Sequence, residues 1–342
     1  MKHTFNGIRI TLICIFLATW MGVSAQGAPT ITPAPSKTPR PTPSTPIESE
    51  TEEADNLDIV DSPFTQNDLS VLSGNVQRPN AIAWYANILY TICSGDWTIY
   101  EIDDTAGTTR TFIYGVRNAH SMHVEVNSQS VSGFELWVPD YDTNTLLQVN
   151  PTGAPRTIAT GFDGPWGIGR LDDDRFLISN LIGNSLVSVS RDGEVVVVNS
   201  QMRSPAGVAI DDGFAYVANN GSSRRSIEWT ATDDIIENDT SFEPLVSGLQ
   251  NTTGVVLGPD GLLYFAYALG TRGVVGRVDP EECREDGGCS NDEVELVLYT
   301  ELVAPLAGLT ITPDMRLFVH TIFQPEIYWL QLDSQVDVEQ SE

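Results

Sequence analysis

One stretch, Ser204 to Ile227, constrains the fold more than any other part of the chain, because degenerate copies of it recur five more times. It opens with Pro205-Ala206-Gly207, runs on as an alternating apolar strand through Val208 and Ile210, turns at Asp211-Asp212-Gly213 and returns through Tyr216. Two such runs joined by an Asp-Gly turn read as a β-hairpin. The same lead-in triplet occurs at Pro79-Asn80-Ala81, Ala119-His120-Ser121, Pro165-Trp166-Gly167, Thr252-Thr253-Gly254 and Leu306-Ala307-Gly308. Each precedes a large apolar residue in its returning strand: Tyr90, Trp137, Leu177, Tyr264 and Phe318. Between the third residues of successive triplets the steps are 40, 46, 40, 47 and 54 residues. Periods of that size mark a repeat architecture.

A third strand follows each large residue, as at Ile99 to Ile102 and Leu186 to Val189, and a fourth leads into the next triplet, as at Arg110 to Tyr114 and Val195 to Val198. Four antiparallel strands per repeat make a propeller blade, so the pattern predicts an all-β, six-bladed β-propeller over residues 62–333. The last repeat ends after its third strand near Asp333, while a spare strand, Leu69 to Leu72, precedes the first triplet. The expected closure puts both chain ends in one blade, which removes the free edge of an open array. The Pro-x-Gly-apolar-Ala lead-ins and strands of the type Ala215-Tyr216-Val217-Ala218-Asn219 resemble the NHL-repeat and SMP-30/gluconolactonase-like six-bladed propellers over about Leu69 to Asp333.

Residues 1–25 carry Lys2 and Arg9, an apolar core from Ile10 to Val23 and a small-residue end at Ala25, the pattern of a secretory signal peptide. An uncleaved signal anchor is the alternative. Either way the expected location is secreted or cell-surface. Residues 26–61 hold seven prolines spaced among Thr and Ser and then an acidic run from Glu48 to Asp61, which reads as an extended spacer, and 334–342 form an acidic tail. Loss of the leader takes the formal charge from -28 to -30, with 16 basic residues against 46 acidic ones. Such a chain repels phosphate backbones, which argues against nucleic acid as a partner, and its field favours cations. Cys283 and Cys289 bracket a short loop between strands three and four of the fifth repeat and are expected to pair as a disulfide, while Cys93 reads as a buried thiol. Asn220, Asn238 and Asn251 each begin an Asn-x-Ser/Thr acceptor.

In a blade whose strands alternate in direction, the lead-in and the link from strand two to strand three share one face, here the upper face, where the channel opens. The middle lead-in residues are Asn80, His120, Trp166, Ala206, Thr253 and Ala307; the link residues are Ser94, Asp140, Asn180, Asn219, Tyr267 and Thr321, with Trp97, Tyr141, Asp142, His320 and Phe323 close by. The resemblance to gluconolactonase-like enzymes implies a divalent metal held by an acid and amides at such positions. The lead-in set has no carboxylate, so a cation such as Ca²⁺ would rest on Asp140, Asn180 and Asn219, which alternatively read as turn caps. His120 is a candidate acid or base near the channel mouth, whereas His123, on the inner strand, reads as packing. The acidic turns at Asp172 to Asp174, Asp211 to Gly213 and Pro259 to Gly261 belong to the opposite face as turn chemistry. No nucleophile elbow, phosphate loop, dinucleotide fingerprint or two-histidine zinc motif is present.

Two functions remain open on the sequence. The first is a monomeric binding propeller that takes a small molecule, glycan or protein through Asn80, Trp97, Tyr141, Trp166, Asn219, Thr253, Tyr267 and His320. The second is a metal-assisted hydrolase or lyase with His120 at the channel mouth. The missing lead-in carboxylate weighs against the second.

Overall fold

The computed structural model describes residues 62–130, 132–211, 213–237 and 240–332. The leader, spacer and acidic tail expected from the sequence lie outside them. The described residues form six sheets, each built on four antiparallel strands, arranged as the blades of a propeller. Blade 3 is typical, with Pro165–Arg170, Arg175–Asn180, Ser185–Ser190 and Val195–Asn199 paired in order from the inside out. In blade 6 the outermost position is taken by Ser70–Ser73, which lies antiparallel to Ile327–Gln331. The segment just before blade 1 and the last described strand are thus hydrogen-bonded in one sheet.

The repeating large residue of the second strand is the anchor of each blade. Tyr90, Trp137, Leu177, Tyr216, Tyr264 and Phe318 are all buried. The apolar clusters they join lie between neighbouring blades. Trp137 and Leu146 of blade 2, for example, pack with Ile168, Phe176 and Val189 of blade 3, and the Trp137 and Phe176 rings approach to 4.5 Å. Packing of this kind locks neighbour to neighbour around the ring, and truncating such an aromatic costs about 3–5 kcal/mol.

The lead-in triplets owe their sequence to two backbone demands. A Cβ on Gly167 would come within 2.3 Å of the Ala206 carbonyl, and one on Gly207 within 2.6 Å of the Thr253 carbonyl, because the inner strands of adjacent blades nearly touch there. The third triplet position is therefore glycine where that approach is tightest. Three positions before it, Arg78, Gly164, Ser204 and Asn251 all adopt a left-handed backbone, with φ of 55°, 66°, 49° and 50°. That conformation costs a residue with a Cβ roughly 1–2 kcal/mol, less for Asn, and nothing comparable for glycine.

Several features exceed the sequence expectation. Phe64–Thr65 adds a fifth, parallel strand to blade 5 against Leu298 and Tyr299. Short helices, Thr232–Glu237 and Pro280–Glu285, sit between strands three and four of blades 4 and 5. Cys283 and Cys289 are bonded, as the sequence leads one to expect; beyond that expectation, Cys289 pairs with Val246, donating to the Leu245 carbonyl at 2.7 Å and accepting from Ser247 at 2.9 Å. The disulfide loop of blade 5 therefore covers the outer edge of blade 4. It also delivers Arg284 onto the faces of Phe214, Tyr216 and Trp229.

Candidate functional site at the upper channel mouth

A β-bulge follows the start of the inner strand in blades 1, 3, 4 and 6, where the register slips between Pro79 and Ala81, Pro165 and Ile168, Pro205 and Val208, and Leu306 and Gly308. The slip lifts the middle lead-in residue out of the ladder, a device that re-aims side chains at sheet ends. Asn80 and Trp166 sit on such bulges. Asn80 donates to Asn118 of the next blade, and Asn118 donates to Asp142 at 2.9 Å. Trp166 lies flat against His120 of the preceding blade, with ring centroids 3.5 Å apart and planes within 1°. Tyr141 meets both rings edge-on, at 5.5 Å and 6.0 Å. All three rings are half-buried. They form an aromatic shelf open to solvent.

His320, on the second strand of blade 6, lies within electrostatic reach of His120. It pairs in register with Gly308, and a Cβ there would lie 2.3 Å from its Nε2. Glycine makes the room in which this imidazole lies across the inner strand. The ring is fully buried, and neither nitrogen has a hydrogen-bond partner among the described residues; the same holds for Nδ1 of His120. The Thr321 backbone carbonyl lies close enough to favour a charged His320 slightly, without bond geometry. Burial dominates and lowers His320 to about 3. Burial, helped by the neighbouring His320, lowers His120 to about 3 as well. Both rings are neutral at physiological pH, each offering one donor and one acceptor.

The candidate ion ligands have another role. Asp140 accepts from the backbone N–H of Arg117 at 2.7 Å and of Thr143 at 3.1 Å. Asn180 accepts from Asp163 N–H and Asn219 from Arg203 N–H, each at 3.2 Å. The Arg117, Asp163 and Arg203 amides each lie four residues before the third residue of their lead-in, so one clamp recurs in blades 2, 3 and 4. In blade 1 the structurally equivalent residue is Cys93, paired with Pro79, rather than Ser94. Burial pushes its thiol up to about 12, partly offset by the Gln77 amide at the same clamp position. Among the described residues no three His, Cys, Asp or Glu side chains are grouped to hold a metal. A divalent cation therefore does not fit the residues that the fold family would lead one to expect.

Other sequence candidates divide similarly. Tyr267 belongs to the core between blades 4 and 5 and is not a surface aromatic. Thr253 is a seam residue: its hydroxyl donates to the Leu306 carbonyl at 2.9 Å and its carbonyl accepts from Gly207 at 2.7 Å. Trp97 is 51% exposed, with the Arg117 guanidinium 5.1 Å above its ring. His123 packs on Phe176 and burial lowers it to about 4. It lines a cavity of about 560 Å³ that runs along the channel to the lower turns at Pro259 and Pro313. On that lower side Asp172 caps its own turn through the amides of Asp174 and Arg175, at 2.8 Å and 2.7 Å. No helix among the described residues is long and apolar enough to cross a membrane.

No family model matches the chain, and no curated protein matches its sequence. Solved structures do. A gluconolactonase from Xanthomonas campestris superposes with a TM-score of 0.59 at 15% identity, over 78% of this chain and 89% of that one. The shared feature is the six-bladed β-propeller fold. A regucalcin from Agrobacterium tumefaciens, described as a calcium-binding protein, gives 0.58 at 14%, over 79% and 95%. A catalytically inactive histidine-to-alanine variant of virginiamycin B lyase from Staphylococcus aureus, with quinupristin, gives 0.56 at 14%, over 78% and 99%. At these identities the likeness is one of propeller fold.

Proposed function

We propose that this gluconolactonase-like propeller is a binding module, displayed outside the cell behind its leader and spacer, that takes an uncharged ligand at the upper channel mouth. The observation that carries this reading is the solvent-open aromatic shelf of His120, Tyr141 and Trp166, in which Nδ1 of His120 has no protein partner among the described residues. A buried polar atom without a partner costs about 1–3 kcal/mol. A ligand hydroxyl or amide supplies that partner, while its flat face rests on Tyr141 and Trp166. A small molecule, a glycan or an exposed protein segment can present that combination.

Binding is favoured over base catalysis by basicity. A general base works best with a pKa near the working pH, and His120 and His320, both held near 3, are weak bases. Lyase or hydrolase chemistry remains the second reading, because a solved propeller of this shape is a lyase inactivated by loss of a histidine. The deciding experiment screens the purified protein on glycan and peptide arrays and, in parallel, for turnover of lactones and cyclic depsipeptides. Ligand capture lost in Trp166→Ala and Tyr141→Ala, without turnover, supports the binding reading. Turnover abolished by His120→Ala or His320→Ala would replace it.

A further inference from the structure

A separate groove opens on the upper face at the seam between blades 6 and 1. Its volume is about 490 Å³, and it runs between Gly74–Arg78, which leads into blade 1, and Ile322–Pro325, the link of blade 6. One wall is apolar: Phe323 is 59% exposed, with Ile322 and Pro325 beside it. The other carries Arg78, Gln77 and Asn75, whose side chains have no hydrogen bond or ion pair among the described residues. A guanidinium and two amides beside an exposed aromatic make a surface that receives a carboxylate next to an apolar group.

Arg78 carries a second sign. It occupies the left-handed position before the lead-in, with φ of 55°, where blade 3 has Gly164. Backbone geometry at that position favours glycine or asparagine, although blade 4 carries Ser204 there, so the backbone gains nothing from an arginine. The groove also has carboxylates near it. Glu326 lies against Gly74, and Asp96, on the adjoining loop, accepts from Tyr100. Neither pairs with Arg78.

We propose that this groove docks an acidic peptide segment of a protein partner, with an Asp or Glu side chain on Arg78, Gln77 and Asn75 and a neighbouring large apolar side chain against Phe323. The site goes beyond the channel-mouth reading and does not depend on it.

The test selects displayed random peptides on the full-length protein, then measures the enriched peptides by fluorescence anisotropy. The expected consensus pairs a carboxylate with Phe, Leu or Trp. Arg78→Gly should weaken binding at least tenfold while its melting temperature stays at or above that of the wild type, which separates lost recognition from lost folding. Phe323→Ser should weaken binding similarly, Glu326→Gln should tighten it, and Trp166→Ala should leave it unchanged. Three results would overturn the proposal: no enrichment, a consensus without carboxylates, or undiminished binding by Arg78→Gly. Capture of uronate oligosaccharides or anionic vesicles in place of peptides would overturn it too.

Discussion

His120 of blade 2 and Trp166 of blade 3 stack face to face, 3.5 Å between centroids, across a blade seam at the upper channel mouth. Other upper-rim seams are closed by polar bonds, such as Asn80 to Asn118 and Thr253 to the Leu306 carbonyl. The stack does the same mechanical job while leaving ring surface open. Replacing either ring with Ala should therefore weaken ligand capture at least tenfold, equivalent to about 1.4 kcal/mol. The loss of stability should be smaller, near the ~0.5–1.5 kcal/mol of an aromatic pair. Array binding and a thermal melt of each variant separate the two effects.

Stability should fall as pH drops from about 6.5 towards 3, in part through His320. Its folded pKa, about 3, lies below the roughly 6.5 of an unfolded histidine. The unfolded chain therefore binds the proton first, so the contribution is intact above the unfolded value and lost through that window, at up to about 1.4 kcal/mol per pH unit. Urea titrations of wild type and His320→Phe at pH 7, 6 and 5 check this, and the variant should show the shallower slope. Ligand binding at the mouth should stay flat between pH 7 and 5, because the imidazoles there remain neutral.

Chelation should leave the melting temperature unchanged, and Ca²⁺ should produce no saturable rise. Asp140 is a clamp on the Arg117 and Thr143 amides. Asp140→Ala strands those donors and should cost about 1–3 kcal/mol whether or not metal is present. Asp140→Asn keeps one acceptor but turns an NH2 towards the second amide, so it should recover only part of that loss. A melt that responds to Ca²⁺ only in the wild type would restore Asp140 as an ion ligand.

The disulfide loop should matter more than its length suggests. Closing so short a loop is worth about 2 kcal/mol by chain entropy, yet Cys289 also covers the Leu245–Ser247 edge. Replacing Cys283 and Cys289 with Ala should lower the melting temperature by several degrees. It should also speed hydrogen exchange at the Ser247 amide, which a purely local staple would not do.

Removing residues up to Ser73 should prevent a stable ring. Ser70–Ser73 is the outer strand of blade 6, and its loss exposes the backbone of Ile327–Gln331 as a free edge. Size-exclusion chromatography should show aggregate where the full chain runs as a discrete species.

The repeat itself was legible in the chain. Apolar alternation, Asp-Gly turns and a large residue at a constant place in each second strand announce sheets that stack side by side, because a two-residue period with a buried face admits little else. The glycines of the lead-ins were visible too, although the carbonyls of Ala206 and Thr253 that exclude a Cβ were not. What only the tertiary structure decided is which polar residues are left over. Asp140, Asn180 and Asn219 look in sequence like an oxygen-rich ligand set, but each meets an amide some 16 to 23 residues earlier in the chain. Tyr267 looks like a surface aromatic and is core. Arg78 looks like a loop arginine, and only its backbone angle and its place beside Phe323 set it apart. Backbone hydrogen bonding and strand period are local, so sequence carries them. Which side chain meets which backbone group depends on how six blades close into a ring, and no local pattern records that.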